Sequence, residues 1–148
     1  MTRRILVLNG PNLNLLGTRE PELYGTATLA DVEEVCAAEA RRHGLEVTCV
    51  QTNHEGGLVD ALHEAAAAGD VVGVVLNAAA YTHTSVALLD AVRATRLPVV
   101  EVHLTNPHAR EPFRHVSYVS PVAVAVVAGA GVAGYRYAVD LLAERSSA

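Results

Sequence analysis

Apolar and polar positions follow two rhythms along this chain, short continuous runs and helical stripes. Residues 5–8 form a short apolar run that reads as a buried strand. After a long interruption, Leu29, Val32, Val35, Cys36 and Ala40 recur at helical spacing. Thr28 stands where it can cap that helix, with Asp31 three residues on as a weaker form of the capping box. Gly44 stops it, after Arg41, Arg42 and His43, cations that suit the negative end of a helix dipole. Residues 45–51 alternate like a strand. A second helix opens at Asn53 or just after, carries Leu58, Ala61, Leu62 and Ala65, and ends at Gly69. Residues 71–76 form a continuous apolar run, as expected of a central parallel strand covered on both faces. A third helix begins between Thr82 and Ser85, with Val86, Leu89 and Val92 inward and Pro98 just past its end. Residues 99–102 read as a fourth strand, 106–119 as an irregular polar stretch and 122–128 as a fifth strand. Residues 131–144 read as a final helix with Val132, Tyr135, Val139 and Leu142 on one face. The tail, 145–148, is expected to fray.

Strand and helix alternate throughout, which implies one domain over 1–148: an open five-stranded parallel sheet with helices on both faces and right-handed crossovers. At this size the flavodoxin-like strand order 2-1-3-4-5 is the natural candidate. Ligands then bind beyond the carboxyl ends of the strands, at the switch point between strands 1 and 3. The side chains capable of chemistry cluster at those ends: Asn9 and Asn12 after strand 1, Asn77 and His83 after strand 3, Glu101 and His103 at the end of strand 4.

The interruption after strand 1 is itself informative. Residues 9–25 hold three glycines and two prolines, too broken for a helix or a strand, yet they carry four leucines and the polar set Asn12, Asn14, Arg19 and Tyr24. Loops this long in compact domains are usually functional or disordered. This one reads as a lid over residues 10–27, whose closure assembles the site as well as excluding water.

Composition narrows the chemistry. Net charge is −5 and hydrophobic content 51%, with no basic footprint for nucleic acid and no polybasic stretch for a membrane surface. No apolar run approaches the ~20 residues of a membrane span. The apolar region after Met1 is too short for a signal peptide, which makes the cytoplasm the expected compartment. All 11 basic residues are arginines. Without lysine, neither a Schiff base nor a Walker A phosphate loop can form. Cys36 and Cys49 form no Cys-x-x-Cys and read as small core residues.

Several motifs compete. Gly129, Gly131 and Gly134 match the dinucleotide fingerprint, but no following strand or ribose-binding acid fits in the 14 residues that remain. Tight turning and close helix–sheet packing explain them better. A phosphoacceptor receiver would need acids after strands 1 and 3 and a lysine after strand 5; asparagines stand at the first two places. A flavin phosphate loop would need Ser and Thr after strand 1. His83, His103 and His108 with Glu101 fit no standard zinc spacing. Glu101 and His103, two apart in a strand, point to one face, where a carboxylate orients an imidazole for general acid work. Tyr24 and Arg19 form the other pair. Ionising an ordinary phenol at pH 7 costs about 4 kcal/mol, a cost that a nearby guanidinium lowers.

Four stretches together resemble the type II 3-dehydroquinate dehydratases: residues 9–25, 51–56, 77–87 and 101–114. The likeness runs from about residue 5 to 143. It implies a flavodoxin-like fold and cofactor-independent, metal-free conversion of 3-dehydroquinate to 3-dehydroshikimate, by anti elimination through an enolate. It implies Tyr24 as the base, Arg19 as the group that stabilises its phenolate and Asn12 as the holder of a water on the enolate oxygen. His103, oriented by Glu101, is implied as the acid. Asn77 and the amides of Leu104 and Thr105 would bind the substrate carboxylate, His83 and Arg114 its hydroxyls. Asp90 would reach a neighbouring subunit's site, and Arg110 would be a lid or supporting group. A dodecamer of four trimers is implied as well. Val116, Ala125 and Pro107 depart from the usual family pattern without touching the proton-transfer groups. The rival reading is a non-catalytic small-molecule binding module on the same fold.

Overall fold

Residues 2–148 are described by a computed structural model of the chain. Its five strands are β1 (Arg4–Asn9), β2 (Glu46–Gln51), β3 (Val71–Asn77), β4 (Val99–His103) and β5 (Ala125–Ala128). They form one sheet in the order β2-β1-β3-β4-β5, all pairs parallel. This is the flavodoxin-like arrangement expected from the sequence. Asn9 of β1 lies opposite Asn77 of β3, so the two central strands end level with each other at the switch point.

The helices are α1 (Pro21–Tyr24), α2 (Leu29–Arg42), α3 (Glu55–Ala68), α4 (Val86–Thr95) and α5 (Ala133–Ser147). Because side chains alternate along a strand, each central strand feeds two cores. Ile5, Val7, Val75, Val100 and Val102 pack with α2 and α5. Leu6, Leu8, Val74, Leu76 and Val99 pack with α3 and α4. The capping box at Thr28 forms in both directions, Thr28 Oγ1 accepting from the Asp31 amide at 3.2 Å and Asp31 Oδ2 accepting from the Thr28 amide at 2.9 Å.

Four expectations need correction. The segment after β1 is not irregular throughout: Leu13–Leu15 forms a 3-10 turn and Pro21–Tyr24 the short α1. In α4 the buried stripe is Leu88, Ala91, Val92 and Thr95, while Val86 is exposed and Leu89 only half-buried. The Ser85 hydroxyl accepts from the Leu88 amide and sets that start, and the less apolar stripe faces the core. The fifth strand begins at Ala125, because Ser120–Val122, with Pro121 inside it, closes as a 3-10 turn. The tail does not fray at 145, since α5 continues to Ser147.

Two glycines hold the site end together. A Cβ on Gly10 would lie 2.5 Å from the Ala78 carbonyl oxygen, so only glycine lets the β1 loop press against the end of β3. A Cβ on Gly134 would meet the Val127 side chain at 3.3 Å, which accounts for that glycine by helix–sheet packing and not by a bound dinucleotide. Among the described residues no helix is long and apolar enough to cross a membrane.

Candidate active site

Beyond the ends of β1, β3 and β4 opens a cavity of about 290 Å³. Each of these elements contributes to its wall. Asn12 comes from the turn after β1, where it takes a left-handed conformation (φ 70°). Arg19 and Tyr24 come from the segment around α1, Asn77 and His83 from the end of β3 and the turn after it. His103, Leu104 and Thr105 lie at the end of β4, Arg110 and Arg114 in the turns that follow. Ten of the expected residues thus meet in one wall. Glu101 stands behind His103, and Asp90 is exposed on α4 and lines no part of this cavity. Tyr24 shares the wall with His103.

The His103–Glu101 pair is buried, with the residues 9% and 2% exposed. It is therefore no surface ion pair. Burial acts to raise the Glu101 carboxyl, but hydrogen bonds from His103, Ser120 and Ser117 and the nearby imidazole hold it below its ordinary value. The Ser117 oxygen accepts from the amides of Val119 and Ser120, so its own proton is directed at Glu101. An ionised carboxylate only accepts, so His103 donates Nε2–H to it and Nδ1 is left for chemistry. Ser117 and Ser120 were absent from the sequence-based site. Their hydroxyls are 16 and 19 residues from Glu101, in a stretch with no periodicity to single them out.

A folded carboxyl held below the ordinary value of 4.5 contributes stability that is fully present above that value and lost as pH falls through the folded one. Glu101→Gln is therefore expected to make the acid limb of stability shallower. Urea midpoints measured across that range, for variant and parent, check it.

Two guanidiniums converge on Tyr24. Arg110 Nη1 donates to the phenolic oxygen at 3.1 Å, while the Arg19 guanidinium lies 5.1 Å from the ring centroid and also pairs with Glu20 at 3.4 Å. Arg110 thus reaches the phenolic oxygen and, at 5.6 Å, the ring as well, while Arg19 lies over the ring. The Tyr24–Arg110 bond spans 86 residues, out of reach of any local pattern.

His83 Nδ1 donates to the Val116 carbonyl at 2.7 Å, and its ring stacks on His103 with centroids 6.3 Å apart. Burial lowers its pKa, with further lowering from His103 and Arg114, so it is neutral and keeps Nε2 as an acceptor. That suits a ligand hydroxyl. Arg114 Nε pairs with Glu111 at 3.2 Å.

The cysteines are excluded as nucleophiles: burial pushes Cys36 up to about 12 and Cys49 up to about 11. Among the described residues the trio whose metal-ligating atoms gather is Glu39, His43 and Asp140, not the histidines of the cavity. There His43 already bonds Asp140 at 2.9 Å, and Arg42 bonds both oxygens of Glu39.

A profile of the family described as Dehydroquinase class II matches residues 3–143. The chain is 67% identical over 143 residues to 3-dehydroquinate dehydratase 1 of Corynebacterium efficiens, covering 97% of this chain and 93% of that one. It is 60% identical over 148 residues to 3-dehydroquinate dehydratase 2 of Pseudomonas aeruginosa, covering 100% and 99%. The solved structure of type II dehydroquinase from Propionibacterium acnes superposes with a TM-score of 0.91 at 42% identity, covering 97% and 98%.

Proposed function

We infer the reaction from one premise: the chain belongs to the class II dehydroquinase family. It is an enzyme of the shikimate pathway, a hydro-lyase that converts 3-dehydroquinate to 3-dehydroshikimate. The C2–H and C1–OH bonds break, the C1–C2 double bond forms and water leaves. The observation that carries this reading is that one cavity holds a tyrosine with two guanidiniums and a histidine on a buried carboxylate.

The proton lost lies alpha to a ketone, so an enolate must be stabilised before hydroxide can leave. Tyr24 takes the C2 proton as phenolate, with Arg110 on its oxygen and Arg19 over its ring. Asn12 holds a water against the enolate oxygen, a form of oxyanion stabilisation. His103 gives its Nδ1 proton to the departing C1 hydroxyl from the opposite side. Asn77 and the amides of Leu104 and Thr105 bind the substrate carboxylate, and neutral His83 with Arg114 holds ring hydroxyls.

The reading extends to the whole chain. Residues 1–148 act as a single catalytic domain in the cytoplasm. They assemble into a dodecamer of four trimers in which Asp90 reaches a neighbour's site. Exposed Phe113, Val116, Val124 and Val126 support such assembly. Val126 and Val116's neighbours His115 and Ser117 line a second cavity of about 330 Å³ that shares His83, His103 and Arg114 with the first.

Incubation with 3-dehydroquinate tests the reading. Growth of the ultraviolet absorbance of the conjugated enone is expected, with or without a chelator; ligand binding without product would return the chain to the binding-module alternative. Because the chain has no lysine, borohydride added with substrate is expected to leave activity intact. Substrate-dependent inactivation, with a mass increase on the protein, would mean that an imine forms.

A further inference from the structure

We propose that Tyr135 is a positioning residue that, as the second anchor beside the Ala79 amide, holds the hydrogen-bonding polarity of the cavity floor. This rests on the reading of Asn77 as a carboxylate-binding residue. Tyr135 sits on α5, is fully buried and does not line the cavity. Its hydroxyl donates to Asn9 Oδ1 at 2.6 Å and accepts from Asn77 Nδ2 at 2.8 Å. It thereby bridges the last residues of β1 and β3, which stand opposite each other at the switch point.

The direction of this chain is set by one group that cannot turn over. The Ala79 amide donates to Asn77 Oδ1 at 3.1 Å, and Ala79 is held in the left-handed region (φ 52°). With Oδ1 taken by that donor, Nδ2 faces Tyr135. The hydroxyl then accepts from Asn77, and its proton goes to Asn9 Oδ1. Burial keeps the hydroxyl protonated and able to donate. The sequence of donors runs one way from Ala79 through Asn77 and Tyr135 to Asn9.

Asn9 shows what this direction costs. Its Nδ2 is buried and has no partner. Turning the Asn9 amide over would place that donor on Tyr135, but would send the Tyr135 proton towards Asn77 Nδ2, donor against donor. The unpartnered Nδ2 is therefore explained by the polarity of the chain.

The consequence for the site is chemical. Nδ2 of Asn77 has two hydrogens, and Tyr135 uses one. The other remains for the cavity that Asn77 lines, so the floor presents a donor. Held by the Ala79 amide alone, the carboxamide could pivot about that one bond and swing its donor away from the cavity; the Tyr135 bond is the second anchor that prevents it. Tyr135, although it touches no ligand, thus selects for an anionic acceptor at this end of the substrate.

Carboxylate binding is shared by ground and transition states, so its loss appears in KM. Tyr135→Phe in the full chain is expected to raise KM for 3-dehydroquinate about tenfold with kcat within about twofold. Asn77→Ala should raise KM at least as far, and the double variant should be no worse than Asn77→Ala alone. Thermal midpoints separate folding from positioning. An unchanged KM in Tyr135→Phe, at any thermal midpoint, overturns the inference, as does a loss confined to kcat or effects that add in the double variant. An unchanged KM in Asn77→Ala overturns the carboxylate reading, and the inference with it. A raised KM there beside an unchanged KM in Tyr135→Phe overturns the inference alone. Should Tyr135→Phe not fold, Asn9→Ala removes the far acceptor; a raised KM supports the inference and an unchanged one overturns it.

Discussion

Replacing Tyr24 by phenylalanine is expected to lower kcat by about 10²- to 10⁴-fold while leaving KM for 3-dehydroquinate near its starting value. The substitution removes one oxygen and keeps the ring that Arg19 covers. Substrate contacts elsewhere in the wall are untouched. What disappears is the group proposed to take the C2 proton, and water in its place would lack the guanidinium of Arg110 at hydrogen-bonding distance from a fixed oxygen. Steady-state kinetics on the purified variant check this, and near-normal turnover would remove Tyr24 from its role. The two arginines should then separate. Arg110→Ala is expected to cost more of kcat than Arg19→Ala, since Arg110 donates to the phenolic oxygen proposed to react and Arg19 reaches only the ring. Equal losses would put the charge of the pair, and not the hydrogen bond, in control.

What the sequence made legible was what short-range chemistry determines. The first four strands, the Thr28–Asp31 box and the glycine stops depend on residues a few positions apart, and appear as expected. Parallel order followed from strand–helix alternation, and that order gathered Asn12, Asn77 and His103 without any contact being known. The misreadings have two causes, a local one and a long-range one. In α4 the more apolar stripe, through Val86 and Leu89, lost to one that includes Ala91 and Thr95, because the start at Ser85 set the phase. The Arg110–Tyr24 bond, the serines on Glu101 and the Asn9–Tyr135–Asn77 bridge join side chains far apart in the chain. Each uses a residue type too common to mark itself. Tyr135 was read as core, as its position on the inner face of α5 implies, and its hydroxyl is the part that periodicity does not see.

Replacing His103 by alanine is expected to reduce turnover by a similar factor, about 10²- to 10⁴-fold, but to stop the reaction at a different point. With Tyr24, Arg110 and Arg19 intact, the C2 proton can still be taken and the enolate still formed. Hydroxide cannot leave at a useful rate without a proton, so the enolate returns to substrate. In deuterated water the His103→Ala enzyme should therefore wash deuterium into C2 of 3-dehydroquinate while making little product. Tyr24→Phe should do neither. Mass spectrometry of recovered substrate, beside enone absorbance, reads both quantities. Loss of exchange together with turnover in His103→Ala would mean that the two proton transfers are not separable steps, and unimpaired turnover would take the acid role away from His103. Glu101→Gln should fall between the variants and the parent. A glutamine oxygen can still accept from His103 Nε2 and keep the ring oriented, but the buried negative charge opposite the donating imidazolium is gone. The size of that loss relative to His103→Ala measures how much of the acid depends on charge and how much on orientation.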